Sequence, residues 1–532
     1  GAYNSSTGAG TLVDTISLGE ENDTNGDPTD ADEIRIVGSS AFTIDADNDF
    51  GTIGAEKITA GNSAENLTIH LHAGAWDDGI KTIDLTGDGT NGNDTNTINV
   101  SAQTASNKGF TLTGSGDVEK ITGGSGKDII DGKGGDDEFI YATDALFIDT
   151  TNNRMQDKIT GDSGTDSIVI TAHATNAFTI PNSINFNTSG YQLLSTEQII
   201  VSGQMDAAIS ITLPDTANDS SGLTTIDLSA DAGTSATNTI DVSAETGAGY
   251  TLKGGAGVDI IKGGTQGDSI TGGGSADIIT GGLGADTLIG TSGANQFRFS
   301  TTAELHDNSV LVDKITGGSD STDKIALLDV GSADFVIPVG LDMSKASSTA
   351  VGVSAVEEII TVGDWDDAIQ ITMADANANA GLAKIDLSND TSTSGVNIID
   401  SYAEASVAMT ITGSSGVDQI AGGAGIDTLS GGPGDDVFYY TTIGRLGITA
   451  PIDLINGGAP SAAAGAETGN SIGLRFKTGA IALTIPHTLV LNGGRLKNVQ
   501  TIKATNSWDE AISITLDNSA NDGTGLNTID LS

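Results

Sequence analysis

A nine-residue period constrains this chain more than any other feature. Residues 123–131 read GGSGKDIID and 132–140 read GKGGDDEFI, after a degenerate GSGDVEKIT at 114–122. Residues 254–298 hold five further copies in phase, ending in a worn GTSGANQFR. Residues 413–439 hold GSSGVDQIA, GGAGIDTLS and GGPGDDVFY. Strays occur at 161–169 and, with one insertion, at 317–325. The shared pattern is G-G-x-G-x-D-x-U-x, where U is a large apolar residue. Position eight calls for a side chain pointing into a thin core, and positions six to nine for a short strand. Glycine permits backbone conformations that a β-carbon forbids. Two nonapeptides make one turn of a parallel coil, so equivalent corners return roughly every 18 residues.

The same pattern carries a chemistry. The Asp at position six supplies a carboxylate, and the glycines expose carbonyl oxygens. Hard oxygen ligands of this kind suit Ca²⁺, which accepts six to eight of them. The candidate carboxylates are Asp128, Asp137, Asp166, Asp259, Asp268, Asp277, Asp286, Asp418, Asp427 and Asp436. The candidate carbonyl positions are Gly124, Gly126, Gly255, Gly257, Gly282, Gly284, Gly423 and Gly425. The coil arithmetic pairs Glu119 with Asp137 on one edge and puts Asp128 opposite. It pairs Asp259 with Asp277, Asp268 with Asp286, and Asp418 with Asp436, leaving Asp427 on the far edge. Gln266 and Ser275 depart from the position-four glycine, and Asn295 from the position-six Asp. Those copies are expected to bind weakly or to cap their block.

A longer repeat contains the short one. Thr-Ile-Asp-Leu stands at 82–85, 225–228 and 528–531, with Lys-Ile-Asp-Leu at 384–387, which defines a module of roughly 145 to 160 residues. WDDGI at 76–80, MDAAI at 205–209, WDDAI at 365–369 and WDEAI at 508–512 recur in the same order. The organisation expected is spacer 1–113, block 114–140, spacer 141–253, block 254–298, spacer 299–412, block 413–439 and an incomplete spacer 440–532. The spacers are rich in Thr, Ser, Asn and Ala, with short period-two phrases between turn residues, which reads as short strands. Few helices are expected; residues 374–382 are the best of the weak candidates. The chain begins at Gly1 without Met and its fourth copy stops at Ser532, just after its Thr-Ile-Asp-Leu, so it reads as an excerpt of a longer array.

Charge follows from the repeat. Lys and Arg total 22 against 71 Asp and Glu, a formal net charge of −49. Such a surface repels phosphate backbones, so nucleic acid is excluded as a partner. The sequence holds no run of about 18 apolar residues, the length a membrane-spanning helix needs. Cysteine is absent, which removes disulfides and thiolate metal sites. Uncompensated, this charge would swell the chain, and cations held between successive coils would offset it.

Other motifs are weaker. Gly469, Ser471 and Gly473 match a nucleophile-elbow pattern, but Asn470, Ser471 and Ile472 align with Asp166, Ser167 and Ile168 and with Asp323, Lys324 and Ile325. They are repeat positions. Gly87, Gly89 and Gly92 match a dinucleotide fingerprint, yet strand-like residues follow where a helix is required. His70 and His72 share a strand face without a third ligand. Asp45, Asp47 and Asp49, and Asp23, Asn25 and Asp27, offer alternating oxygens that serve equally well as solvated turns. Trp76, Trp365 and Trp508, with Met205 in the matching slot, are read as core plugs or as contact points between subunits. No carboxylate pair stands out as catalytic, so no enzyme activity is expected.

The nonapeptide blocks at 123–140, 254–298 and 413–439 resemble those of the repeats-in-toxin (RTX) family of secreted calcium-binding proteins. The spacer phrases from Ser195 and Ser354 are similar to those of RTX-type surface-layer proteins of Gram-negative bacteria. The resemblance implies an all-β fold, a parallel β-roll or β-helix solenoid with calcium-binding RTX blocks and β-rich spacers, here an elongated rod. It also implies export in one step, folding triggered by external calcium, and an extracellular, cell-surface location. The expected function is a structural one: copies of the chain assemble in a lattice or filament, anchored by a cell-surface glycan or lipopolysaccharide. A stalk of a large RTX adhesin is the alternative, and the non-catalytic part of an RTX exoenzyme a weaker one.

Overall fold

The computed structural model describes residues 33–36, 42–44, 55–61, 66–88, 94–171, 177–205, 207–307, 310–319, 322–329, 331, 334–338, 352–373, 381–402, 407–423, 425–440, 453–458, 470–474, 484–485, 496–504, 513–514, 526 and 528–530. Among the described residues it is all-β apart from three short helices, Asp144–Phe147, Ala217–Ser221 and Thr302–Leu305. The chain forms two compact units, Gly1–Ser269 and Ile270–Ser532.

In the first unit, successive strands alternate between two parallel sheets. One strand of each coil, Lys57–Ala60, Thr82–Asp84, Thr111–Thr113, Ile129–Asp131 and Lys158–Thr160, lies in one sheet. The intervening Leu67–His70, Thr95–Asn99, Val118–Thr122, Glu138–Tyr141 and Ser167–Thr171 build the other. A two-strand coil closes when each strand buries one alternate side chain inward. The register therefore stacks like on like. Ile58, Ile83, Leu112, Ile130, Ile159 and Leu193 are consecutive partners on one face. Ile69, Ile98, Ile121, Phe139, Ile168 and Ile199 are consecutive partners on the other. Position eight of the nonapeptide supplies Ile121, Ile130, Phe139 and Ile168 to these stacks, all essentially inaccessible to solvent. Burying each such side chain contributes about 1.5–3 kcal/mol, and no single turn could do it alone.

Spacer strands and nonapeptide strands share the same sheets, because both present an apolar residue at the same point of the coil. The described spacer strands are thus further coils of the solenoid, not separate sandwiches. Where modules meet, the coil gains a third strand. Lys158–Thr160, Ser167–Thr171 and Phe178–Ile180 make one such turn, and Tyr191–Leu194, Gln198–Ser202 and Ile209–Thr212 the next. The sheet begun by Glu33–Ile36 then ends in an antiparallel pair, Asn187–Thr188 against Tyr191–Leu194. A new sheet, opened by Phe178–Ile180, continues through Ile209–Thr212, Thr237–Asp241 and Val258–Lys262.

The second unit repeats this device. Lys314–Gly318, Lys324–Leu328 and Phe335–Ile337 form a three-strand turn, followed by Val353–Ser354, Glu358–Val362 and Ile369–Thr372. Its stacks run Phe297, Ile325, Ile359, Ile385, Ile411 and Leu429 on one face. On another they run Ile371, Ile399, Ile420, Phe438, Ile472 and Ile502.

The insertion that follows each of the first two blocks is a short helix and an antiparallel ribbon. Asp144–Phe147 leads into Ile148–Asp149 paired with Arg154–Met155. Thr302–Leu305 leads into His306–Asp307 paired with Val310–Leu311. Phe147 is buried with its ring against Tyr141 (centroids 5.0 Å apart), Phe178 and Phe186. Most of the helix considered at 374–382, the acidic clusters at 23–32 and 45–49, Gly469 and Trp508 lie outside the described residues.

Candidate metal centre

The position-six carboxylates line the two edges where the coil turns from one sheet to the other. On one edge of the first unit, the Glu119 N–H donates to Asp137 Oδ1 at 2.8 Å. The Asp137 N–H donates to Asp166 Oδ1 at 2.8 Å, and the Asp166 N–H to Glu197 Oε2 at 2.8 Å. Each carboxylate thus accepts from the backbone of the coil before it. The opposite edge obeys the same rule: Phe110 N–H to Asp128 Oδ1 at 2.7 Å, then Asp128 N–H to Asp157 Oδ1 at 2.8 Å. Glu119 and Asp137 therefore share an edge, and Asp128 sits on the other.

In the second unit, Asp418 N–H donates to Asp436 Oδ1 at 3.0 Å and Asp436 N–H to Asn470 Oδ1 at 2.8 Å. Asp427 occupies the far edge, accepting from Met409 and donating to Asp453. The middle block is divided between the units: Asp259 and Asp268 belong to the first, Asp277 and Asp286 to the second. Asp268 accepts from Tyr250 N–H. Asp277 N–H donates to Asn295 Oδ1, and Asp286 N–H to Asp313 Oδ1.

The glycines answer to close packing. Position-two glycines turn an N–H toward their own Asp: Gly124 to Asp128 Oδ2 at 2.7 Å and Gly255 to Asp259 Oδ2 at 2.9 Å. Position-four glycines lie against a carbonyl of the preceding coil. A β-carbon on Gly425 would stand 2.5 Å from the Val407 carbonyl oxygen, one on Gly257 3.0 Å from that of Ala236, and one on Gly126 would overlap Lys108. Gly282 and Gly284 have positive φ, and Gly423 is buried. Position one faces the carboxylate itself: a β-carbon on Gly123 would lie 2.5 Å from Asp128 Oδ2, and Gly132, Gly161 and Gly431 are equally close to Asp137, Asp166 and Asp436.

All ten candidate carboxylates are nearly or fully buried. Burial pushes the Asp137 and Asp436 carboxyls up to about 8 and that of Asp418 to about 7. Burial likewise raises Asp128, Asp166 and Asp259 to about 6, although backbone N–H groups oppose it. Glu119 Oε2, Asp137 Oδ2, Asp166 Oδ2 and Asp436 Oδ2 are buried oxygens that accept no hydrogen bond. Such atoms need a proton or a cation. An all-oxygen set of anionic carboxylates and turn carbonyls fits a hard divalent ion. Among the described residues no group of three His, Cys, Asp or Glu side chains converges on one point. Carboxylates of successive coils would therefore share an ion with backbone carbonyls.

Several members of these edges lie outside the three nonapeptide blocks, among them Asp323 in the stray copy at 317–325 and Asn470 at the repeat position aligned with Asp166. Asp157, Asp313 and Asp453 close one edge, and Asp323, Glu197, Glu357 and Asn470 the other. The signal for the first set was the recurring Asp-Lys-Ile-Thr at 157–160 and 313–316. Asp157 and Asp453 also accept a hydrogen bond from a buried tyrosine, Tyr141 and Tyr440, at 2.9 and 2.7 Å. Asn470 holds the rung that Asp166 and Asp323 hold elsewhere, as expected of a repeat position and not of a nucleophile. His72 pairs with Asp78 at 3.2 Å. Met205 and Trp365 are buried, and Trp76 packs beneath Lys81 with its indole N–H on the Gly109 carbonyl.

Residues 112–142, 253–288 and 412–441 match the family described as RTX calcium-binding nonapeptide repeat (4 copies). These segments cover the blocks at 114–140 and 413–439 and the first copies of the block at 254–298, so the chain carries RTX calcium-binding repeats. No curated protein matches the chain, and no solved structure does. Among the described residues no helix is long and apolar enough to cross a membrane.

Proposed function

We propose that the chain is a secreted, calcium-dependent structural protein that assembles with copies of itself into a bacterial surface layer or extracellular filament. The observation that carries this reading is the edge Glu119, Asp137 and Asp166, where three buried acids stack on consecutive coils and each keeps one oxygen without a donor. Calcium between those coils would neutralise the repulsion and complete the fold outside the cell, where the ion is abundant. In this reading the position-six carboxylates are ligands and not catalysts, and the protein is not an enzyme. The excess of 71 acidic over 22 basic residues gives the outer surface further carboxylates for calcium bridges to neighbouring copies. A cell-surface glycan or lipopolysaccharide would serve as the anchor.

Electron microscopy of the purified chain in calcium and then in chelator tests the reading. Ordered sheets or filaments that dissolve on chelation are expected. Single particles in both conditions would overturn self-assembly and favour the stalk of an RTX adhesin.

A further inference from the structure

Not every rung of these edges is a carboxylate. Asn295 stands at position six, and its amide Nδ2 donates to the Gly293 carbonyl at 3.0 Å, the Ser292 carbonyl at 3.3 Å and Asp323 Oδ1 at 3.0 Å. Its Oδ1 accepts from the Asp277 N–H at 3.0 Å. The amide nitrogen thus faces two turn carbonyls and the carboxylate of the next coil. Those are the oxygen types a cation between coils would take.

The edge in the first unit begins in the same way. Asn96 Oδ1 accepts from the Leu67 N–H at 2.9 Å. Its Nδ2 donates to Glu119 Oε1 at 2.9 Å, Asp88 Oδ2 at 3.2 Å and Ser115 Oγ at 3.2 Å. Asn238 and Asn397 hold the matching place, accepting from Ile209 and Ile369 at 3.0 Å and donating to Asp231 Oδ2 and Ser414 Oγ. Asn470, at the other end of the third block, accepts from Asp436 and donates to the Gly458 carbonyl at 3.4 Å. A side-chain amide has an acceptor and donors on one planar group. It therefore reproduces the backbone bond that every rung needs and fills the oxygen cluster with N–H instead of a metal.

We propose that these asparagines are built-in substitutes for calcium, which close their rungs without an ion and so set where each calcium edge begins and ends. The proposal rests on the calcium reading of the carboxylate rungs. On the edge of block one, the carboxylate stretch then runs from Glu119 through Asp137 and Asp166 to Glu197, with Asn96 at its start. In block three it stops at Asp436, because Asn470 follows.

The test counts calcium bound per full chain by equilibrium dialysis with elemental analysis, alongside circular dichroism during chelation. Asn470→Asp and Asn295→Asp are each expected to bind one more calcium ion than the unaltered chain and to fold in excess calcium. Asp166→Asn is expected to bind one fewer, while keeping its β signal to higher chelator concentration. Unchanged calcium counts in all three folded variants would overturn the proposal and leave the calcium reading standing. So would failure of both Asn→Asp variants to fold in excess calcium. No calcium bound by the unaltered chain would instead overturn the calcium reading itself.

Discussion

Asp137 and Asp166 are joined as acceptor and donor at once: the Asp137 N–H donates to the Asp166 carboxylate, while Asp137's own carboxylate accepts from the coil above. Because every rung repeats this bond, a carboxylate here supports the backbone of its neighbour as well as any ion. Removal of a rung side chain therefore costs stability even in chelator.

That dual role sets the pH dependence of the calcium-free chain. Burial lifts the Asp137 and Asp436 carboxyls to about 8, whereas an unfolded Asp releases its proton near pH 4. Between those values the folded chain binds more protons than the unfolded one, so its stability falls as pH rises. Calorimetry in chelator should give a lower melting temperature at pH 8 than at pH 5. Excess calcium should shrink or reverse the difference, because the ion binds the deprotonated form. A chelated chain that melts higher at pH 8 would contradict this.

Position-one glycine should be intolerant for a steric reason. Gly123→Ala places a β-carbon 2.5 Å from Asp128 Oδ2, and overpacking of this kind costs about 1–3 kcal/mol. Gly247→Ala meets nothing within 4 Å and should change stability by less than about 0.5 kcal/mol. Denaturant titration of both variants would reveal the contrast; equal effects would show that the cradle is not tight.

The apolar stacks predict large losses from truncation. Phe139 lies between Ile121 and Ile168 with no exposed surface. Phe139→Ala should cost about 3–5 kcal/mol, and Ile168→Ala about 2–5 kcal/mol. Since neighbouring coils depend on each other, loss of protection in hydrogen exchange should extend to the strands on either side.

The tyrosine that closes the far edge offers a finer probe. Tyr141→Phe removes the O–H bond to Asp157 at 2.9 Å. Burial holds the Asp157 carboxyl well above the usual carboxylate range, so the loss should be that of an ordinary hydrogen bond, about 0.5–1.5 kcal/mol. The second block carries Phe299 in that place, on a strand that enters the same insertion. Calorimetry of Tyr141→Phe and Tyr440→Phe in calcium should show matching decreases. No decrease in either would mean that the pair is incidental.

Much of the fold could be read directly from the nonapeptide. Apolar position eight predicted Ile130, Phe139, Ile420 and Phe438 as interior residues, and all are buried. The two-repeats-per-turn spacing separated Asp427 from Asp418 and Asp436. Less legible were Asp157, Asp313 and Asp453, which lie 26 to 29 residues beyond their rung partners because a helix and ribbon or a loop intervenes. Their spacing has no period, so pattern alone left them among ordinary spacer acids. Asn295 and Asn470 were visible as repeat positions, whereas the rungs Asn96, Asn238 and Asn397 were hidden, since Asn in a spacer strand carries no distinguishing signal.

By itself, the order of residues determined a parallel coil with glycine corners, an aliphatic interior and acids at the turns. Those features follow from local sterics and from burying one side chain per strand. Tertiary structure decided how the sheets hand over through paired three-strand turns, and which acids meet an amide, a tyrosine or only each other. Those outcomes depend on which residues lie one coil apart. That distance is set by the length of every intervening loop and by the backbone bonds across coils, which no short motif records.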